Sequence, residues 1–183
     1  MAAKLLVLAG PTAVGKGTVA RNIIENHPEI VLSVSATTRQ PRPGEVDGKS
    51  YFFLTDAEFD ELIQTGQILE SAVVHGTHRY GTPRQPVEAA LAAGHPVLLE
   101  IDIQGARQVK AAMPDAITVF LTPPSWDELV RRLRGRGTET ESEMANRLET
   151  ARQELASKDE FDHVIVNDEV AKCAASVVEL LQS

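Results

Sequence analysis

Short apolar runs alternate along the chain with stretches whose apolar residues recur at helical spacing. Leu5-Leu6-Val7-Leu8, Val97-Leu98-Leu99-Glu100-Ile101, Ile117-Thr118-Val119-Phe120-Leu121 and Val164-Ile165-Val166 predict four strands. Unbroken hydrophobicity, rather than strict alternation, suits parallel strands covered by helices on both faces. Between these runs the pattern predicts helices over about 16–26, 84–93, 104–111, 125–134, 141–157 and 170–182. In the helix from 125, Trp126, Leu129, Val130 and Leu133 form one apolar stripe at i, i+3, i+4 and i+7. Thr55-Asp56-Ala57-Glu58, Ser125-Trp126-Asp127-Glu128 and Thr140-Glu141-Ser142-Glu143 each match a capping box and predict a helix start. Strand followed by helix, repeated, is the signature of an α/β fold.

Two segments interrupt the alternation. Residues 35–53 contain two Pro, two Gly, two Arg and one Lys with little apolar periodicity. Residues 134–142 are short, polar and Gly-containing. Both are expected to be exposed excursions from the core.

A chain of 183 residues can bury one proper core and is short for two independent domains. Its formal charge is −8, an acidic balance that argues against general binding to nucleic acid or to anionic membranes. No apolar run is long enough to span a bilayer, and Leu5 to Ala9 is too short for a signal segment. The single cysteine, Cys173, forms no intrachain disulfide and is expected as a small buried residue. That usage fits a reducing compartment, so a cytoplasmic location is expected.

The first predicted strand runs directly into Gly10-Pro11-Thr12-Ala13-Val14-Gly15-Lys16-Gly17-Thr18, which opens a helix. Strand, Gly-rich loop and helix N-terminus are the parts of a phosphate-binding loop. Its glycines let backbone N–H groups curl around an anion, the helix end adds its dipole, and Lys16 supplies a point charge. Gly17 stands where the strict pattern has a hydroxyl; Thr18 follows it and is a candidate metal ligand, direct or through water. The strand ending at Glu100 and Asp102 has the look of a Walker-B segment, whose carboxylates hold a metal ion or its waters. Asp102-Ile103-Gln104-Gly105 also fits the D-x-x-G of switch GTPases, but no N-K-x-D guanine signature accompanies it.

The segment Ser33 to Phe53 closely resembles the guanylate kinase signature. So do Ile68-Leu69-Glu70, His75-Gly76, Tyr80-Gly81-Thr82-Pro83, Glu100 to Gly105 and Arg136-Gly137-Thr138-Glu139-Thr140. The likeness runs from about residue 4 to 168, with its motifs in family order. It implies a P-loop NTPase three-layer α/β fold with a central parallel sheet, an inserted nucleoside-monophosphate-binding subdomain and a short lid. The expected division is a core of about 1–34, 83–124 and 158–183, a GMP-binding subdomain of about 35–82 and a lid of about 125–157. The implied activity is reversible, Mg2+-dependent transfer of the γ-phosphoryl group of ATP to GMP. No obligate protein partner is implied.

Residue by residue, the resemblance implies that Ser35, Glu70 and Thr82 line the guanine. Arg39, Arg42, Tyr51 and Tyr80 are then expected to hold the GMP phosphate, and Lys16 with the loop amides the ATP phosphates. Arg132, Arg136 and Arg147 are expected at the transferring phosphoryl group, Asn167 on the adenine side, and Glu100 and Asp102 at the metal waters or the acceptor. The chemistry of the residues agrees. Guanine presents N1–H and an exocyclic amine side by side, a donor pair that one carboxylate accepts and that adenine lacks. Lys16, Arg39, Arg42, Arg132, Arg136 and Arg147 are six of only 18 cations in an acidic chain, and all lie in motif-bearing segments. Arginine suits planar, bidentate recognition of phosphate. A related kinase acting on a phosphorylated sugar is disfavoured by Ser35 and Glu70, and an inactive interaction domain by the intact loop.

Overall fold

A computed structural model describes residues 2–74, 77–135 and 140–183. In chain order the elements are β1 (Leu5–Ala9), α1 (Lys16–Asn26), β2 (Val31–Leu32), β3 (Ala36–Thr37), β4 (Phe52–Phe53), α2 (Asp56–Gln64), β5 (Ile68–Val74) and β6 (His78–Pro83). They continue as α3 (Arg84–Ala92), β7 (Val97–Glu100), α4 (Ile103–Ala112), β8 (Ile117–Thr122), α5 (Trp126–Arg134), α6 (Glu141–Ala156), a 3-10 turn (Lys158–Glu160), β9 (His163–Val166) and α7 (Val170–Gln182).

Five strands form one all-parallel sheet in the order β2-β7-β1-β8-β9. Successive side chains of β1 point to opposite faces, and both faces are covered. Leu6 and Leu8 pack with Val19 and Ile23 of α1 and Val177 and Leu181 of α7. Leu5, Val7 and Ala9 pack with Val87 of α3 and Ile103 and Val109 of α4. Hence β1 is buried at every position and reads as an unbroken apolar run. Burying each such Leu or Val is worth about 2 kcal/mol. The four strands expected from the sequence are these core strands, with β7 ending at Glu100 rather than Ile101.

A second sheet, in the order β4-β3-β6-β5, carries most of the chain between Ser35 and Pro83. Its β3–β4 pair is parallel, and its other pairs are antiparallel. Leu69 of β5 reaches into the core on the α3–α4 side of the parallel sheet and so fastens the two sheets together. The irregular stretch expected over 35–53 therefore contains two short strands, joined through a segment that includes an isolated Asp47–Tyr51 bridge.

Thr55 and Thr140 form complete capping boxes. Ser125 forms only half of one: it accepts from the Glu128 N–H, while the Glu128 carboxylate takes Arg131 and Arg132 instead of the cap backbone. Leu129 and Leu133 of α5 bury against Ala151 of α6, with Trp126, Met144 and Leu148 around them. Cys173 is buried in α7, and burial pushes its thiol up to about 11, so it stays a neutral core residue. No helix among the described residues is long and apolar enough to cross a membrane.

Candidate active site

The phosphate loop leaves the C-terminal end of β1, in the middle of the parallel sheet, where crevices between strand ends receive ligands in such folds. Only glycine fits at its first position, because a Cβ on Gly10 would lie 2.5 Å from the Leu121 carbonyl oxygen. Gly15 has φ 100°, and a Cβ there would lie 2.7 Å from Asn167 Nδ2. Between them Ala13 has φ 62°, left-handed for a residue with a Cβ, which costs on the order of 1 kcal/mol. Lys16 donates from Nζ to the carbonyl oxygens of Gly10 at 2.8 Å and Pro11 at 3.4 Å. Its ammonium is thus folded over the loop. Pro11, Thr12, Val14 and Gly17 complete the segment, with Val14 fully buried.

The strand beside it joins the loop to the second half of the site. At the end of β7 the Glu100 carboxylate lies 3.6 Å from where a Gly17 Cβ would be. Two residues on, Asp102 caps α4 by accepting from the Gly105 N–H at 2.7 Å. Asp102 also faces Glu70, since its charge contributes to the perturbed acidity of that residue. The helix cap is therefore Asp102 and not Glu100.

Glu70 owes its position to a β-bulge. Ile68 pairs with Pro83, but Glu70 pairs with Thr82, so one extra residue is accommodated at Leu69. Bulges re-aim side chains next to functional sites. Here the bulge lets Leu69 enter the core while Glu70 comes opposite Thr82, whose Oγ1 donates to Glu70 Oε1 at 2.7 Å. On the other side of β6, Ala36 pairs with Gly81, which aligns Ser35 with Thr82. Ser35, Thr82 and Glu70 thus form one row across three strands. A Cβ on Gly105 would lie 2.9 Å from Glu70 Oε2 and one on Gly81 2.6 Å from the Glu70 carbonyl oxygen, so both glycines keep space around this acid. Glu70 is 7% exposed, and burial pushes its carboxyl above the ordinary range; Asp102 adds to that shift, while the Thr82 hydrogen bonds oppose it.

Tyr80 lies two residues before Thr82 and so on the same face of β6, about 7 Å away along the strand. Its hydroxyl accepts from Arg39 Nε at 3.2 Å, and its ring meets Tyr51 edge-on at 5.8 Å. The Arg39 guanidinium lies 5.3 Å from the Tyr51 ring centroid. Three of the four residues expected around the acceptor phosphate, Arg39, Tyr51 and Tyr80, are therefore in contact, while Arg42 is exposed at their edge. Glu45, which the sequence reading did not single out, is bidentate to Arg39 at 2.9 Å on both arms and accepts from the Arg42 N–H at 2.7 Å. These bonds hold its carboxyl down at about 2. The Arg-x-x-Arg-x-x-Glu spacing was the only local clue to it.

The arginines expected at the transferring phosphoryl group fall differently. Arg132 spans Glu128 Oε1 at 2.8 Å, the Val14 carbonyl at 3.0 Å and the Asn167 carbonyl at 3.1 Å. It ties the loop to the turn between β9 and α7 and lines a cavity of about 290 Å³ with Ala13, Gly15, Thr18 and Asn167. Arg147 is exposed on α6. Arg136 lies outside the described residues. Asn167 is buried, donates from Nδ2 to the Val14 carbonyl at 2.8 Å and leaves its buried Oδ1 without a partner among the described residues. Thr18 sits beside that cavity, on the Asn167 side of the loop, whereas Glu100 approaches at Gly17.

Two further contacts join distant segments. Gln108 of α4 accepts from the Ser71 N–H at 3.0 Å and donates to the Ser71 carbonyl at 3.1 Å, extending the edge of β5 next to Glu70. Glu154 of α6 accepts from the Thr12 N–H at 3.0 Å. Partners 37 and 142 residues apart leave no signal in local sequence.

The guanylate kinase family model matches residues 2–183. A guanylate kinase of Leifsonia xyli subsp. xyli is 63% identical over 177 residues, covering 97% of this chain and 70% of that protein. One of Nocardia farcinica is 61% identical over 181 residues, covering 98% of this chain and 94% of that protein. Among solved structures, the guanylate kinase of Anaplasma phagocytophilum superposes with a TM-score of 0.75 at 34% identity, covering 100% of this chain and 86% of its own. A shikimate kinase of Bacteroides thetaiotaomicron shares the fold at a TM-score of 0.52 and 14% identity, covering 98% of this chain and 99% of its own.

Proposed function

The chain belongs to the guanylate kinase family and phosphorylates GMP with ATP; from that premise we propose how its residues divide the work. The observation that carries the proposal is the Glu100-Ile101-Asp102 segment: the Glu100 carboxylate comes up to the phosphate loop at Gly17, and the Asp102 and Glu70 carboxylates both border the space beside Gly105. Donor and acceptor sites thus lie on either side of three consecutive residues.

Lys16 and the N–H groups of the loop from Gly10 to Thr18 grip the ATP phosphates, apart from Pro11, which has none, and Thr12, whose N–H goes to Glu154. Asn167 Oδ1, a buried acceptor with no partner among the described residues, offers itself to the exocyclic amine of adenine, beside Arg132. Ser35, Thr82 and Glu70 take the guanine edge. Tyr80, Tyr51, Arg39 and Arg42 take the acceptor phosphate, one nucleotide's span along the same face of β6. Residues 35–82 accordingly act as the GMP-binding subdomain and 125–157 as the lid. Arg147 on α6 is assigned to the moving phosphoryl group, as is Arg136, which lies outside the described residues.

The family uses a divalent metal with ATP, and we assign magnesium. An exposed Glu100 carboxylate beside the side-chain-free Gly17 fits a hydrated cation at the loop. Glu100 and Asp102 would hold such a cation there through its waters, with the Thr18 hydroxyl, on the Asn167 side of the loop, as the other candidate. When bound, the metal neutralises charge on the donor phosphates. The remaining task is alignment of two polyanions and spread of positive charge over a loose transition state. No general base is required, because the GMP phosphate is ionised near neutral pH.

Arg39→Lys tests the acceptor half. Lysine keeps the charge but loses the fork and the contact with the Tyr80 hydroxyl. The expected result is a KM for GMP raised about tenfold or more, with KM for ATP within about twofold. Equal effects on both substrates would remove Arg39 from the GMP phosphate.

A further inference from the structure

We propose that Glu154 is a positioning residue that couples the lid helix α6 to the phosphate loop. The proposal rests on the reading above, in which that loop binds ATP. Ala13 is the one described non-glycine residue with a positive φ, and it sits in the middle of the loop. Such a residue relaxes unless its surroundings over-determine it. Here both flanks are held. On one side the Val14 carbonyl accepts from Asn167 Nδ2 and from Arg132. On the other side the Thr12 N–H donates to Glu154 Oε2. The loop's strained turn is therefore clamped from the β9–α7 turn, from α5 and from α6. The α6 clamp is the only one of these three contacts in which a carboxylate takes up a backbone N–H, a charge-assisted bond.

The same helix carries Arg147, seven residues before Glu154 in a continuous run from Glu141 to Ala156. Two turns of helix place both side chains on one face, about 10 Å apart. A helix is stiff over this length, so the bond at Thr12 fixes where Arg147 stands relative to the loop. Glu154 also lines a cavity of about 350 Å³ together with Asp102, the cap of α4, so its carboxylate reaches both the loop at Thr12 and the cleft between α6 and α4. Filling the loop with phosphates orders α6 through Thr12, and placing α6 sets the loop for phosphates. Linkage makes the two effects reciprocal.

The test is steady-state kinetics of the full chain and its Glu154→Ala and Glu154→Gln variants with ATP·Mg2+ and GMP, paired with hydrogen exchange of the ligand-free proteins. Glu154→Ala is expected to raise KM for ATP about tenfold, lower kcat, leave KM for GMP within about twofold, and speed exchange of the amides over 10–15. Glu154→Gln, whose amide oxygen still accepts from the Thr12 N–H, is expected to recover most of both. Unchanged KM for ATP and unchanged exchange in Glu154→Ala would overturn the proposal. So would tighter ATP binding in both variants, which would make the carboxylate a competitor of the nucleotide. If the parent protein transfers nothing from ATP to GMP, the functional reading fails, and exchange alone then decides whether Glu154 holds the loop.

Discussion

Replacing Lys16 with Met is expected to lower turnover about 10²- to 10³-fold, the cost of removing one preorganised charge from a transition state, while GMP affinity stays within about twofold. Met preserves an unbranched stem and removes only the ammonium. That ammonium rests on the Gly10 and Pro11 carbonyls, and in the proposed reading it exchanges these for phosphate oxygens when ATP arrives. The proposed acceptor site has cations of its own, Arg39 and Arg42, so GMP binding is expected to be spared. Coupled-assay rates and GMP titration of the same preparation check both halves. Turnover surviving at near parental rates would mean that the loop does not carry the donor phosphates.

Glu70→Gln is the second large effect. One oxygen of the carboxylate becomes an amide nitrogen, so one acceptor of guanine's donor pair becomes a donor. KM for GMP is expected to rise about 10- to 100-fold, the cost of a mismatched hydrogen bond to a buried charged group. Discrimination between GMP and AMP is expected to shrink, because an amide can donate to adenine N1. Acidity gives an independent readout. The folded protein holds the Glu70 proton more tightly than the unfolded chain does, because burial raises its pKa. Folding therefore takes up a proton, and Glu70 reduces stability above its raised pKa. That reduction vanishes once pH falls below the ordinary carboxylate range, about 4. Glu70→Gln is thus expected to melt higher than the parent near neutral pH, with the two converging in acid. In the parent, GMP binding weakens as pH falls through the raised value, since the protonated acid loses an acceptor. Thermal melts and GMP titrations against pH check this. A variant with unaltered GMP selectivity would remove Glu70 from the base site.

The sequence exposed those parts of the fold whose cause is local. β1, β7 and β8 read as strands because helices bury both faces of their sheet, so nearly every position is apolar; β9 is apolar too, but at the sheet edge only Ile165 packs on the core while Val164 and Val166 stay exposed. The loop read as a phosphate cradle because glycines at Gly10 and Gly15 answer to backbone requirements that the structure shows. β3 and β4 stayed hidden because two residues carry no periodicity, and the bulge at Leu69 shifts the register by which β5 would be recognised. Helical spacing put Arg132 on a face of α5 but could not say what that face meets. Only the fold brings Val14 and Asn167 to it and makes it a tie across the loop. The contacts made by Gln108 and Glu154 likewise exist only once distant segments are assembled.

The central claim is that an ATP-gripping loop and a guanine-selective acid are aligned across Glu100 and Asp102. A coupled assay of the unmodified protein with ATP·Mg2+ against GMP, AMP, CMP and UMP tests it most directly. The account predicts kcat/KM for GMP at least about 100-fold above that for AMP, as expected when a buried polar group is matched by one base only, with CMP and UMP poorer still. Transfer to AMP as efficient as to GMP, or transfer to none of the four, would contradict it.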